Sequence, residues 1–186
     1  MIEIKTPLSD ETIRNLKTGD MVCLSGKIIT ARDAAHKKLI DQIENGKPIV
    51  PELEGKLRDL AVFYAGPSQA KPGKIIGSIG PTTAGRMDLY SPLLISMGLK
   101  VMVGKGLRSS SVKEAIIKYG GIYLAAIGGA AALMAKCVKS SRIIAFEELG
   151  AEAIRELVVE KLPLIVAIDS RGENLYEKGI EKYKRY

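Results

Sequence analysis

Apolar residues fall along this chain in short, nearly continuous runs, broken by glycine, proline and polar stretches. Runs of four to eight bounded by turn residues are the mark of buried strands. Residues 21–29 (MVCLSGKII) read as a strand, with Gly26 placed for a bulge. Residues 60–66 and 74–80 read as two strands around the loop PSQAKPG, and 100–106 and 122–129 as two more. RIIAFEELG (142–150) fits a strand running into a turn. AEAIRELVVEK (151–161) suits a helix or a strand equally. The segment from Leu162 is a strand, then a glycine-containing turn, then a tail over about residues 177–186 whose Lys178, Lys182, Lys184 and Arg185 make a basic, solvated end.

Between these runs the period lengthens to that of helices. Residues 31–46 form one, with Thr30 as its cap, Asp33 three residues later as a variant capping box, and Gly46 as its stop. A second begins at Thr82 or Thr83, presents Met87, Leu89, Leu93, Leu94 and Met97, and ends at Gly98. Pro92 makes that segment either one kinked helix or two short ones. Ser110 or Ser111 opens a third, closed by Gly120 and Gly121, and residues 130–140 form a short, very apolar fourth. Strands rich in Val, Ile, Ala and Leu, alternating with helices, indicate an α/β domain whose sheet is covered on both faces.

The 186 residues accommodate one domain with a substantial core. No apolar run is long enough to cross a bilayer, and the first sixteen residues lack the basic-then-apolar order of a secretory signal. A cytoplasmic protein without a membrane partner is therefore expected. Cys23 and Cys137 lie in no C-x-x-C pair, and His36 is the single histidine, so no metal site held by this chain alone is expected. The formal charge is +7, and it is localised: residues 51–150 hold 13 Lys and Arg against 7 acids, while the flanks are nearly balanced. An anionic partner follows. Clustered Lys/Arg runs, RNP-like aromatics and zinc-finger spacing are all missing, and two Phe with no Trp offer few stacking surfaces. A small anion or an acidic protein surface fits better than nucleic acid.

The stretch GPTTAGRMD (80–88) carries the most chemistry. A glycine-terminated strand delivers Thr82 and Thr83 to a helix start, where free N–H groups favour an anion. The macrodipole disfavours a cation there, so Arg86 calls for a bound anion, which its five-donor fork suits. Arg32 repeats the arrangement, with His36 on the same helix face; a surface ion pair and a packed histidine explain it equally well. Lys105 sits between Gly104 and Gly106 at a strand end, where ligands bind in α/β sheets. Three cations at strand-to-loop junctions suit both ends of a small dicarboxylate. They also suit the charge that builds when a proton leaves the carbon beside a carboxylate.

ITARDAAHKKL (29–39), GPTTAGRMD (80–88), VGKG (103–106), GGIYLAAIGGAAAL (120–133) and LPLIVAIDSRGENLY (162–176) together closely resemble the β subunit of the iron–sulfur class I fumarate hydratases and L-tartrate dehydratases. The resemblance implies a single three-layer β/β/α swivelling-type domain over residues 1–186. It implies a hydro-lyase active only with an α subunit that holds the [4Fe–4S] cluster through three cysteines, in an α2β2 assembly. It assigns Thr82 to proton transfer, Lys105 to neutralising developing charge, and Arg32 and Arg86 to the carboxylates of a dicarboxylate substrate. Asp33, His36, Thr83 and Asp88 are left as groups that orient the others. Fumarate and tartrate differ by hydroxyls that none of these residues is seen to read; reversible hydration of fumarate to L-malate is the first reading, favoured because fumarate belongs to central metabolism, and tartrate dehydration to oxaloacetate is the alternative. A non-catalytic anion-binding domain and a basic nucleic-acid-binding domain are the further alternatives.

Overall fold

A computed structural model describes residues 1–185. Tyr186, the last residue of the expected tail, lies outside the described residues. The strands are β1 (Ile2–Lys5), β2 (Met21–Thr30), β3 (Ala61–Phe63), β4 (Val101–Gly104), β5 (Ile122–Ala125), β6 (Val138–Ala145) and β7 (Ile154–Ile168). The α-helices are α1 (Asp10–Asn15), α2 (Asp33–Glu44), α3 (Ser91–Ser96), α4 (Ser110–Tyr119), α5 (Ala131–Cys137) and α6 (Leu175–Tyr183). They make a mixed α/β architecture around one seven-stranded sheet in the order β1-β2-β3-β4-β5-β7-β6.

The sheet turns back on itself. β1 to β5 pair in parallel, each with its neighbour, and β7 runs antiparallel to both β5 and β2. The ladder β2–β3–β4–β5–β7 therefore returns to β2, leaving β1 and β6 at the margins. Period-two alternation divides the strand side chains between two cores. Phe63, Val103 and Leu124 join Leu24, Ile28 and Leu164 in a core enclosed by strands. Val62, Met102 and Tyr123 face the other way and pack with α2, α3 and α4 through Leu39, Leu94 and Val112. Each of these buried side chains stabilises the fold by about 2 kcal/mol of transfer free energy.

Parallel strands point their carboxyl ends one way, and that end carries the chemistry. β2 leads to Arg32, β4 to Lys105, and β3 to Gly66 three residues past its last. Gly66 is required by close approach: a Cβ there would lie 2.5 Å from the Ala151 carbonyl and 3.0 Å from Cδ of Arg32.

Several sequence expectations hold. The β2–β7 register shifts between Leu24 and Gly26, so Gly26 does mark a bulge. Gly120, in the left-handed conformation, closes α4. Others need correction. Thr30 ends β2 instead of capping α2, because its hydroxyl accepts the Arg155 N–H at 3.2 Å. The cap position belongs to Arg32, and the Glu152 carboxylate takes the Ala34 N–H at 2.8 Å instead. Of the two forms expected for the segment after Thr83 the structure has the two short helices, a 3-10 turn, Ala84–Met87, and α3, with Pro92 in the first turn of α3. Only Met87 and Leu94 of its expected apolar face are fully buried, while Leu89 and Met97 face solvent. Residues 74–80 form no strand; the chain closes a loop there through the Ser68 N–H on the Ser78 carbonyl. Residues 154–161, ambiguous in sequence, are strand. Residues 177–183 are no loose tail but part of α6, held to α4 by a Lys113–Glu177 pair at 2.6 Å. β1 and α1 had no counterpart in the sequence reading.

Candidate active site

Arg32 and Arg86 stand 54 positions apart in sequence and meet on one carboxylate. Asp33, the first residue of α2, receives Nε of Arg86 on Oδ1 at 2.7 Å. Its Oδ2 lies 3.9 Å from Nε of Arg32, and both of those atoms are buried without a hydrogen-bond partner. Glu152 closes the far side, 3.4 Å from an Nη of Arg32. Two acids thus nearly balance two guanidiniums. What the pair offers a ligand is N–H donors rather than net charge, since each fork has five and the two acids face only an Nη and Nε of Arg32 and Nε of Arg86. Arg86 remains 52% exposed.

Lys105 and Thr82 are joined through the backbone. The Thr82 N–H donates to the Tyr64 carbonyl at 2.6 Å, the Lys105 N–H to the Thr82 carbonyl at 3.2 Å, and the Ala84 N–H to the Lys105 carbonyl at 2.8 Å. This weakens one sequence argument. The helix after Thr83 is a single 3-10 turn whose first N–H is spent on Lys105, so one of the free N–H groups expected there is already used. Among the described residues the Thr82 hydroxyl makes no hydrogen bond. Thr83 is exposed and bridges to Lys105 by main-chain pairing alone. The Lys105 side chain is exposed and runs beside Gly128. It borders a cavity of about 350 Å³ lined by Ala125, Ile127, Leu175 and Tyr176, to which neither arginine contributes.

His36 and Asp88 act from behind. His36 is buried, 5.4 Å from the Tyr64 ring and 6.0 Å from that of Tyr90, and its Nδ1 bonds the Arg32 carbonyl at 2.9 Å. Burial pulls its pKa down to about 4, so the ring is neutral and donates from Nδ1. It reaches the site only by fixing the backbone of Arg32. Asp88 turns away from Arg86: it accepts Nε of the fully buried Arg108 at 2.7 Å and the Ser109 N–H at 2.5 Å.

The sequence reading missed Glu152, Arg108 and two tyrosines. The Tyr123 hydroxyl donates to the Gly106 carbonyl and the Gly106 N–H donates to the Tyr176 hydroxyl, each at 3.1 Å. Gly106, the residue after Lys105, is thus held through both its N–H and its C=O. Burial pushes the Tyr123 phenol well above its ordinary value, so it stays a donor. Tyr176 and Arg108 lie in motifs already singled out or directly beside them, but nothing local signals their partners.

The thiols do not suit an iron–sulfur cluster at this end. Cys23 sits near the start of β2, roughly 20 Å along the strand from Thr30 at 3.3 Å per residue. The Cys137 sulfur lies 3.8 Å from the Lys161 carbonyl, alongside that same end. Among the described residues no group of three His, Cys, Asp or Glu side chains is placed to hold a metal ion.

These features define an α/β domain with basic side chains set at the carboxyl ends of its parallel strands. The chain belongs to the fumarase C-terminus family, whose model matches residues 1–179. Fumarate hydratase 2 of Leishmania major is 39% identical over 183 residues, covering 96% of this chain and 32% of that protein. The anaerobic class I fumarate hydratase of Escherichia coli is 43% identical over 161 residues, covering 86% and 29%. The putative L(+)-tartrate dehydratase subunit beta of Methanocaldococcus jannaschii is 40% identical over 181 residues, covering 94% and 91%. The chain thus spans about a third of the fumarate hydratases it matches. Among the described residues no helix is long and apolar enough to cross a membrane.

Proposed function

We propose that this chain is the β subunit of a two-subunit [4Fe–4S] hydro-lyase that reversibly hydrates fumarate to L-malate. The observation that carries the reading is Arg32 and Arg86 converging on Asp33 after β2, while Lys105, paired through the backbone with Thr82, follows β4 at the same carboxyl end of the sheet. In this reading residues 1–186 are one domain, and its strand-enclosed core with helices outside is a three-layer β/β/α swivelling type. The cluster belongs to the α subunit, in an α2β2 assembly in the cytoplasm.

The roles follow from the side chains. Asp33 and Glu152 hold the guanidiniums from behind, and the free N–H edges of Arg32 and Arg86 bind substrate carboxylates. In dehydration the Thr82 hydroxyl passes its own proton to a carboxylate of the partner subunit while its oxygen takes the proton leaving the carbon next to a substrate carboxylate; hydration runs the two transfers in reverse. A threonine alkoxide forms only beside strong positive charge or a second acid–base group. Lys105, one peptide-pairing step away, supplies the first. A carboxylate of the partner subunit supplies the second. Lys105 also offsets the charge that spreads into the substrate carboxylate as the proton departs.

Tartrate dehydration to oxaloacetate is the second reading, favoured by the match covering 91% of a tartrate dehydratase β subunit. Anaerobic co-expression with the α subunit, followed by assays on fumarate, L-malate and both tartrate enantiomers, decides between them. Arg86→Ala is expected to assemble and lose at least about a hundredfold in turnover, and Thr82→Val to lose about as much. Normal turnover by Arg86→Ala would overturn its assignment. An assembled complex that binds dicarboxylates but converts none would leave only an anion-binding domain. A gel shift that weakens steeply with salt would point instead to nucleic acid.

A further inference from the structure

A second cavity, of about 400 Å³, lies between the 67–77 loop and the start of β7. That volume suits a small organic molecule. Arg155 lines it. On β7 this residue pairs with Thr30 on one side and Ile143 on the other, and by alternation it shares a face with Leu157 and Val159 of the strand-enclosed core. It stands at the mouth of that core, beneath the loop.

Among the described residues the guanidinium there has no acidic partner. Its Nε is buried and hydrogen-bonds to nothing among the described residues. The two acids nearest it in sequence are engaged elsewhere: Glu156 with Lys27 and Arg142, Glu152 with Arg32 and the Ala34 N–H. Among the described residues no other carboxylate comes within 4.0 Å of it. Arg155 as a whole is half-buried, and arginine does not deprotonate in proteins. A bound anion supplies the partner that its charge lacks among the described residues.

The rest of the lining narrows the anion. Pro67, Ile75 and Ile76 supply apolar surface, and Arg155 is the cavity's one cation. A single fork matches one carboxylate in bidentate fashion, and the apolar wall matches a short carbon chain. We propose that this cavity binds a small organic carboxylate, its charged end on Arg155 and its carbon chain on Pro67, Ile75 and Ile76. The site is separate from the arginine pair and stands whether or not the hydro-lyase reading holds. Gly66 and Ala151 form the wall between it and Arg32.

The test uses the full chain, labelled with nitrogen-15 and titrated with sodium butyrate. Saturable shifts are expected in the amides of residues 67–77 and 150–155, and unchanged in Arg86→Ala. Binding is expected to weaken at least about tenfold in Arg155→Gln, and by as much for neutral butyramide on the unaltered chain. The butyramide comparison needs no variant to fold. Absent binding, butyramide as tight as butyrate, inorganic sulfate as tight as butyrate, wild-type affinity in Arg155→Gln, or shifts confined to residues around Arg86 would each overturn the proposal.

Discussion

Among the described residues Asp33 is the one carboxylate within ion-pair distance of both arginines. Asp33→Ala is expected to leave the fold intact by circular dichroism and to lower kcat/KM by about 10- to 100-fold, the usual effect of losing a group that orients a ligand-binding residue. Asp33→Asn keeps an acceptor for Nε of Arg86 and should recover part of the loss. Equal activity in all three proteins would remove Asp33 from the site. His36 leaves a different trace. Burial, aided by the nearby Arg108 charge, lowers its folded pKa to about 4 from 6.5. The folded state therefore resists a proton that the unfolded chain accepts. The stability tied to this ring is intact above the unfolded pKa and is lost as pH falls from 6.5 towards 4, about 3 kcal/mol in all. Urea unfolding of the protein and of His36→Phe at pH 7.5 and pH 4.5 measures it. The variant should show a pH dependence smaller by about that amount, and identical dependences would show that the ring does not titrate this way.

At the scale of elements, the 80–88 turn is set against α4 by the ion pair of Asp88 with Arg108. Arg108 also donates to the Ser91 hydroxyl at 2.8 Å and faces the rings of Tyr64 and Tyr123 at 5.3 and 5.0 Å. Its side chain is 0% exposed, so Asp88→Ala strands a buried charge and is expected to cost about 3–5 kcal/mol in urea unfolding. The double change Asp88→Leu with Arg108→Met should cost clearly less than that single change. If the single and double changes cost the same, the pair is not what seats the turn. How far such elements could be read in advance depended on their range. β2, α2, β4 and α4 were legible because period and terminal glycines agree locally. Arg32, Lys105 and Thr82 were legible because each follows an apolar run directly. Asp33 was suspected, but its grip on Arg86 was hidden: the two are 53 positions apart and nothing local ties them. Residues 74–80 have strand composition and no free ladder to join, whereas 154–161 look helical in part and become strand because β2 and β6 flank them. β1 and α1 are 4 and 6 residues long, too short for a periodicity to register.

Taken whole, the molecule presents its candidate chemistry to water. Arg86 is 52% exposed, and Lys105 and Thr83 are exposed as well. Leu89 and Leu107 stand close to them in sequence and Ile127 lines the cavity that Lys105 borders; all three are large apolar side chains that are also exposed. In that setting a hydrated ammonium and a half-solvated guanidinium are screened, and little of their field reaches a substrate. Proton removal beside a carboxylate demands the opposite: fixed charges in a site from which water is shut out. The apolar rim is where a covering surface would dry the site, and under the proposed function that surface is the α subunit. The chain alone is therefore expected to give no measurable hydration of fumarate or dehydration of L-malate, while the same chain in the anaerobically purified complex turns both over. Mixing the separately purified subunits should restore activity in proportion to complex formed, followed by size-exclusion chromatography beside the fumarate absorbance assay. Leu107→Asp should weaken that reconstitution while leaving the chain's own urea unfolding nearly unchanged, since the side chain it replaces already faces solvent. Turnover by the isolated chain at the rate of the complex would show that the open site is sufficient, and would take away the reason for a covering partner.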